Sequence, residues 1–128
     1  MNITVKKFQE LTTSELYEIL QLRSEVFVVE QDCVYQDIDG KDQNALHVIG
    51  IKEGKIIAYT RLFNSGEYFD TPSIGRVVVK ESERKYGYGH DLIKASIKAI
   101  VDTIMKLQLP FLHKPIYKNS TNLTDLNK

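Results

Sequence analysis

With 128 residues, 17 Lys+Arg against 17 Asp+Glu and 42% apolar residues, the chain has the size and composition of one cored globular domain and carries no net charge. That balance excludes the global basic field that nucleic acid or an anionic membrane requires, and no apolar run approaches the about 20 residues that cross a bilayer. Cys33 is the sole cysteine, so no internal disulfide forms; the N-terminus, MNITVKKFQEL, lacks the apolar stretch of a signal peptide, and the expectation is a reducing, cytoplasmic setting.

Ile3 to Phe8 alternates apolar and polar residues, as a short edge strand does. Thr12, Thr13 or Ser14 caps a helix whose first turns carry Glu15 and Glu18. Its stripe runs through Leu16, Ile19, Leu20 and Arg23 and continues to Val26 and Phe27. Between Asp32 and Gln43 an acidic, glycine-containing stretch, DCVYQDIDGKDQ, reads as a loop. Strand character resumes at Leu46–Ile51, turns at Glu53-Gly54 and returns through Ile56–Phe63, a hairpin. Asn64-Ser65-Gly66 breaks the second strand, and Ile74–Val79, IGRVVV, is a third. A charged, Gly-rich turn, ESERKYGYGH, leads to a helix that starts near Gly89 and puts Leu92, Ile93, Ser96, Ile97, Ile100 and Val101 on one face. There are no repeats. The order β, α, β, β, β, Gly turn, α predicts one α/β sheet with helices packed on it.

The chemistry-bearing stretch is IGRVVV followed by RKYGYGH. In Arg84-Lys85-Tyr86-Gly87-Tyr88-Gly89 the glycines sit two apart, where a strand gives way to a helix. A helix start presents unpaired N–H groups and a partial positive charge, which suit a phosphate. Glycines let the backbone come close, and Arg84 and Lys85 add charge. The plainer alternative is a basic turn that only joins two elements. The stretch is neither a P-loop, since GxxxxGK[ST] is absent, nor a dinucleotide fingerprint, since only two glycines fit.

Arg84-x-x-Gly87-x-Gly89 matches the [QR]-x-x-G-x-[GA] signature of GNAT acyltransferases, with the strand before and the helix after where that family has them. LRSEVFVVEQDCVYQDIDGKD, Leu22 to Asp42, resembles the segment that marks the ElaA-like subgroup. His47 opening the next strand and Tyr59-Thr60-Arg61 near the end of the one after it resemble that subgroup too. The resemblance covers Met1 to Val101; Val34 stands where the subgroup commonly has proline.

This resemblance implies a GNAT-like α/β (α+β) fold, a mixed sheet flanked by helices, and transfer of an acyl group, usually acetyl, from CoA to an amine of a small molecule or peptide. Acetyl-CoA would be the donor, with no metal. No nucleic acid or membrane partner is implied, and a homodimer is a candidate assembly. Val77, Val78 and Val79 would pair with the pantetheine amides. Arg84 and the backbone across Lys85, Tyr86, Gly87, Tyr88, Gly89 and His90 would hold the pyrophosphate. The amine must lose a proton before it attacks the thioester, a task for a carboxylate or an ordered water. Glu30 and His47 are the catalytic candidates, and Phe27, Asp37 and Asp39 the acceptor-side ones. Against this, Glu30, Asp37 and Asp39 also read as a solvated acidic loop, and His47 as a hydrogen-bonding group within the sheet. Arg23 reads better as a buried ion-pair partner than as a substrate contact. Asp37-x-Asp39-Gly40 lacks the later Glu of a calcium loop. A Cys33–His47 nucleophilic pair is the weaker reading for both residues. Tyr86 and Tyr88 read as surface or adenine-side packing.

After the second helix the family pattern stops. The chain runs MKLQLPFLHKPIYKNSTNLTDLNK, with Pro110 and Pro115 interrupting any helix or central strand. Suitable synonymous codons for Lys106 to Leu126, read from the third nucleotide of each, give ITIAISAQTYLQKFYKS, which resembles the subgroup's C-terminal segment. The expectation is an incomplete GNAT-like domain at 1–105, lacking its C-terminal strands and helix, and a non-family tail at 106–128 produced by a frameshift near Val101–Met105. A divergent but genuine tail is the alternative. On the frameshift reading Tyr117 does not replace the family's thiolate-protonating tyrosine, and the chain is an inactive or weak acyltransferase. A CoA-binding or structural remnant and, third, a nucleotide-binding module are the competing functions.

Overall fold

A computed structural model describes residues 1–64 and 71–105; expectations for positions 65–70 and for the 106–128 tail lie outside those residues. Chain order is β1 (Asn2–Lys7), α1 (Thr13–Ser24), β2 (Leu46–Lys52), β3 (Lys55–Phe63), β4 (Ser73–Val79) and α2 (Tyr88–Ala99). The strands follow one another across the sheet as β1-β2-β3-β4. Every pairing among them is antiparallel, so the described strands supply the antiparallel part of the expected sheet.

Of the three candidate caps, Thr12 is the one used. Its Oγ1 accepts the Glu15 N–H at 3.0 Å, and Glu15 Oε1 accepts the Thr12 N–H at 2.9 Å. This reciprocal box satisfies two N–H groups that helix geometry leaves without partners, and losing such a cap costs about 1 kcal/mol. The β2–β3 turn has both Glu53 (φ 53°) and Gly54 (φ 77°) in the left-handed region, as a two-residue hairpin with right-handed strand twist requires.

The two helices cover opposite faces of the sheet. Ile19, Leu22 and Val26 pack on Ile49, Ile56, Tyr59 and Val78; Leu92 and Ala99 pack on Val48, Ala58 and Leu62 from the other side. Each fully buried aliphatic side chain contributes about 1.5–3 kcal/mol. A polar tether crosses the second layer: Ser96 Oγ donates to the Leu92 carbonyl at 2.8 Å, which leaves Thr60 Oγ1 to donate to Ser96 Oγ at 2.7 Å. On the first face Glu18 Oε2 accepts the Ile56 N–H at 3.1 Å and ties α1 to the start of β3.

Three departures from regular geometry position the site. First, α1 runs on into a wider π-helical turn, Glu25–Glu30, which carries Phe27 and Glu30 beyond the regular helix. Second, β3 has an extra residue, Ile57, between the pairs Ile51↔Ile56 and Gly50↔Ala58. Third, Arg76 and Val77 stand opposite Thr60 alone, between Tyr59↔Val78 and Arg61↔Gly75, so β4 is bulged there.

Candidate functional site

A cleft of about 380 Å³ opens between the π-helical turn and β4. Phe27 and Glu30 line one side, Val77, Val78 and Val79 the other, and Arg84 and Gly89 close one end. Val78 is buried in the core beneath, while Val77 is exposed.

The end with Arg84 and Gly89 is the predicted Gly turn. Glu81–Tyr86 forms a tight helical turn and Gly87 caps α2 with φ 75°, a left-handed conformation that glycine adopts without penalty. α2 begins at Tyr88, so the N–H groups of its first turn lack intrahelical acceptors. The space beside the glycines is open: a Cβ on Gly87 would meet nothing within 4 Å, and one on Gly89 only Val79 Cγ2, at 3.9 Å. The turn is therefore a cradle with room for a phosphate-sized group against backbone. Lys85 and His90 are exposed beside it. Tyr86 and Tyr88 pair at 5.4 Å between ring centroids, and Lys52 Nζ lies 4.1 Å from the Tyr86 ring while bonding Glu83 at 2.8 Å.

Arg84 does not hang free. Its Nη1 and Nη2 donate to Glu30 Oε2 and Oε1 at 2.7 and 2.9 Å, and its Nε to the Val79 carbonyl at 2.9 Å. The guanidinium hydrogen bonds hold the Glu30 carboxyl below its usual value.

The loop carrying Asp37 and Asp39 is anchored by buried charge. Arg23 on α1, fully buried, donates from Nε to Asp37 Oδ2 and from Nη1 to Asp42 Oδ1, both at 2.8 Å. Arg61 on β3 donates from Nη1 to Asp42 Oδ1 at 2.9 Å and to Asp39 Oδ1 at 2.8 Å, and from Nη2 to Asp39 Oδ2 at 2.8 Å. Arg76 donates from Nε to Asp37 Oδ1 at 2.8 Å. Three arginines thus face three aspartates, and the group is neutral. Burial disfavours the Asp39 carboxylate, but the Arg61 hydrogen bonds and the Lys41 N–H outweigh it and bring its pKa down to about 2. Asp37 and Asp39 are therefore not a solvated acidic pair: both oxygens of each are committed to arginine.

His47 lies beneath this network at 0% exposure, with both ring nitrogens engaged. Its Nε2 is 2.9 Å from the Asp42 carbonyl, which can only accept, so Nε2 carries the proton. Nδ1, 2.5 Å from Tyr59 Oη, then accepts from the phenol. Burial pushes the imidazole's pKa down and the phenol's up, so both stay neutral. This moves His47 from a group facing substrate to one inside the framework; Cys33 is exposed, away from such burial. Asp42, Tyr59 and Arg76 were missed as site-shaping residues. A lone arginine within the apolar run IGRVVV was the available clue for Arg76.

Among the described residues no group of three or more His, Cys, Asp or Glu side chains could hold a metal, and no helix is long and apolar enough to cross a membrane.

Comparison with known proteins agrees with this geometry. The acetyltransferase (GNAT) family profile matches residues 13–110. Protein ElaA of Escherichia coli is 43% identical over 91 residues, covering 70% of this chain and 60% of that protein. A UPF0039 protein of Schizosaccharomyces pombe is 41% identical over 99 residues, covering 77% and 65%. The chain therefore spans less than two thirds of the length of these relatives. Among solved structures, Escherichia coli ElaA superposes with a TM-score of 0.75 at 37% identity, covering 80% of this chain and 71% of that one. An acyl-CoA N-acyltransferase from Pseudomonas aeruginosa superposes with a TM-score of 0.73 at 40% identity, covering 77% and 69%.

Proposed function

Since the chain belongs to the acetyltransferase (GNAT) family, we propose that it takes acetyl-CoA as acyl donor and an amine of a small molecule or peptide as acceptor, in the cytoplasm. The observation that carries the reading is the cleft itself. One end is a glycine-flanked helix start beside a guanidinium, and one wall is the strand Val77–Val79. The helix start and Arg84 fit the donor's diphosphate. Backbone of Val77–Val79 suits the amides of the pantetheine arm, and the half-buried Phe27 lies on the facing wall.

The acceptor nitrogen has to be neutral to attack the thioester carbonyl, with the C–N bond forming as the C–S bond breaks and the thiolate leaving with a proton. Of the proposed catalytic residues, Glu30 lines the cleft, and it can take the ammonium proton, directly or through water, once Arg84 turns from it to the donor's diphosphate. His47 acts from within, by holding Tyr59 and the Asp42 backbone. Asp37 and Asp39 act on the acceptor side by fixing the loop, since their charge is already matched by arginine.

The second reading is a CoA-binding remnant without turnover. Calorimetric titration with CoA, followed by thiol release from acetyl-CoA over an amine panel, separates them. Binding with release supports the transferase. Binding without release supports the remnant. Equal competition by ATP supports a plain nucleotide module, and no CoA binding removes the donor site altogether.

A further inference from the structure

Resting on that reading of the cleft, we infer that Arg76 is a positioning residue: by sharing Asp37 with Arg23, it locks the bulge of β4 and the loop over positions 31–41 into one unit, so that donor strand and acceptor loop are set by the same contacts.

The backbone is the first observation. Arg76 has φ 51°, which a non-glycine residue adopts only when its surroundings over-determine it. This φ falls at the bulge: a regular β4 would pair one residue with Thr60 and keep its backbone extended. The side chain supplies the constraint. Nε of Arg76 bonds Asp37 Oδ1 at 2.8 Å, and Nη2 bonds the Asp37 carbonyl at 3.1 Å and Asp39 Oδ2 at 3.2 Å. Its guanidinium also lies 5.2 Å from the Tyr35 ring centroid.

The second observation is the other half of Asp37. Its Oδ2 is held by Arg23 Nε at 2.8 Å, and its carbonyl also accepts from Arg23 Nη2 at 2.9 Å. One carboxylate thus joins α1 to β4 through a loop that has no strand or helix of its own between Gln31 and Lys41. The third observation is the neighbour. Val77 is the other bulge residue and faces the cleft, whereas Val78 is fixed in the core. A change of backbone at Arg76 must therefore appear at Val77, where the donor's arm would lie.

Hydrogen exchange on Arg76→Gly and on Asp37→Asn tests this. Glycine accepts the positive φ without strain, so Arg76→Gly removes the contacts and not the backbone's permission to bulge. Peptides spanning 31–41 and 73–79 are expected to exchange about tenfold faster together in both variants, with α2 unchanged. The double variant should fall short of the sum of the two single effects, because both cut the shared Arg76–Asp37 link. Where the protein turns over acetyl-CoA, kcat should fall about tenfold while CoA Kd, set at the α2 end, moves less than about threefold. Should Arg76→Gly not fold, Arg76→Lys, which keeps the charge and loses the fork, carries the same comparison. Faster exchange at 31–41 with an unchanged 73–79 peptide overturns the inference, for then the ion pairs only pin a loop. Failure of CoA to protect 73–79 in the unaltered protein is a distinct result: it removes the donor-site reading, and the positioning role falls with it.

Discussion

Glu30 grips Arg84 through both carboxylate oxygens, at 2.7 and 2.9 Å, across the mouth of the cleft. A diphosphate arriving at the α2 start would compete with that carboxylate for the same guanidinium. Glu30→Gln should therefore tighten CoA binding by about two- to fivefold at low salt, the scale of an exposed ion pair, while lowering turnover. Arg84→Ala should weaken binding. The guanidinium lowers the Glu30 pKa, so the pair persists above that lowered value and opens as pH falls through it. Calorimetry at several salt concentrations is the check; an unchanged Kd in Glu30→Gln would show that Glu30 does not compete with the donor.

Gly87→Val should spare the fold and damage the cradle. No atom lies where its Cβ would be built, so the cost comes from φ 75°, about 1–2 kcal/mol for a side-chain-bearing residue. The added methyls would occupy the space offered to phosphate. CoA affinity should drop by about tenfold or more with the melting curve still cooperative. A folded variant with intact affinity would move the diphosphate elsewhere.

Asp42→Ala should be among the most destabilising single changes. Its Oδ1 serves Arg23 and Arg61 at once, and both guanidiniums are essentially unexposed. Removing one partner of a buried ion group costs about 3–5 kcal/mol. Lys98→Ala, which breaks the exposed pair with Asp102, should cost less than about 0.5 kcal/mol. Urea denaturation of the two variants side by side measures the contrast, and similar costs would mean the network contributes little.

Stability should fall on the acid side in two steps. Burial lowers the folded His47 pKa, so its contribution is complete above the unfolded value of about 6.5 and is lost as pH drops from there towards the lowered folded value. Asp39 follows later: its contribution is complete above about 3.8 and disappears as pH falls through about 2. Denaturation midpoints between pH 5 and 8 should slope for the unaltered protein and flatten in His47→Gln. An equal slope in that variant would assign the titration to another group.

What was legible in the sequence was what local chemistry writes there. Thr12 with Glu15, the Glu53-Gly54 turn and the Leu92–Ser96 face each declare themselves within a few residues, and each element formed where its period placed it. The Gly turn was legible because a helix start, two glycines and two cations are neighbours in the chain. The bulges at Ile57 and Arg76 were not, because they are set by what lies across the strand. Nor was the role of Asp42, whose two arginine partners are each 19 residues away and share no period with it. Asp37 and Asp39 were singled out as acidic residues facing an acceptor; the charges that neutralise them come from α1, β3 and β4, and no local pattern announces their arrival.

The double hold on Asp37 also orders events in time. Arg23 lies 14 residues before it, whereas Arg76 lies 39 residues after it. During synthesis or refolding Asp37 can meet Arg23 as soon as α1 exists, but its second oxygen waits for the last described strand. Closing that longer interval is the entropically slower step. Completion of the sheet and setting of the loop should then share one kinetic phase, and a chain interrupted before Arg76 would carry a half-matched Asp37 and a loop with no reason to settle.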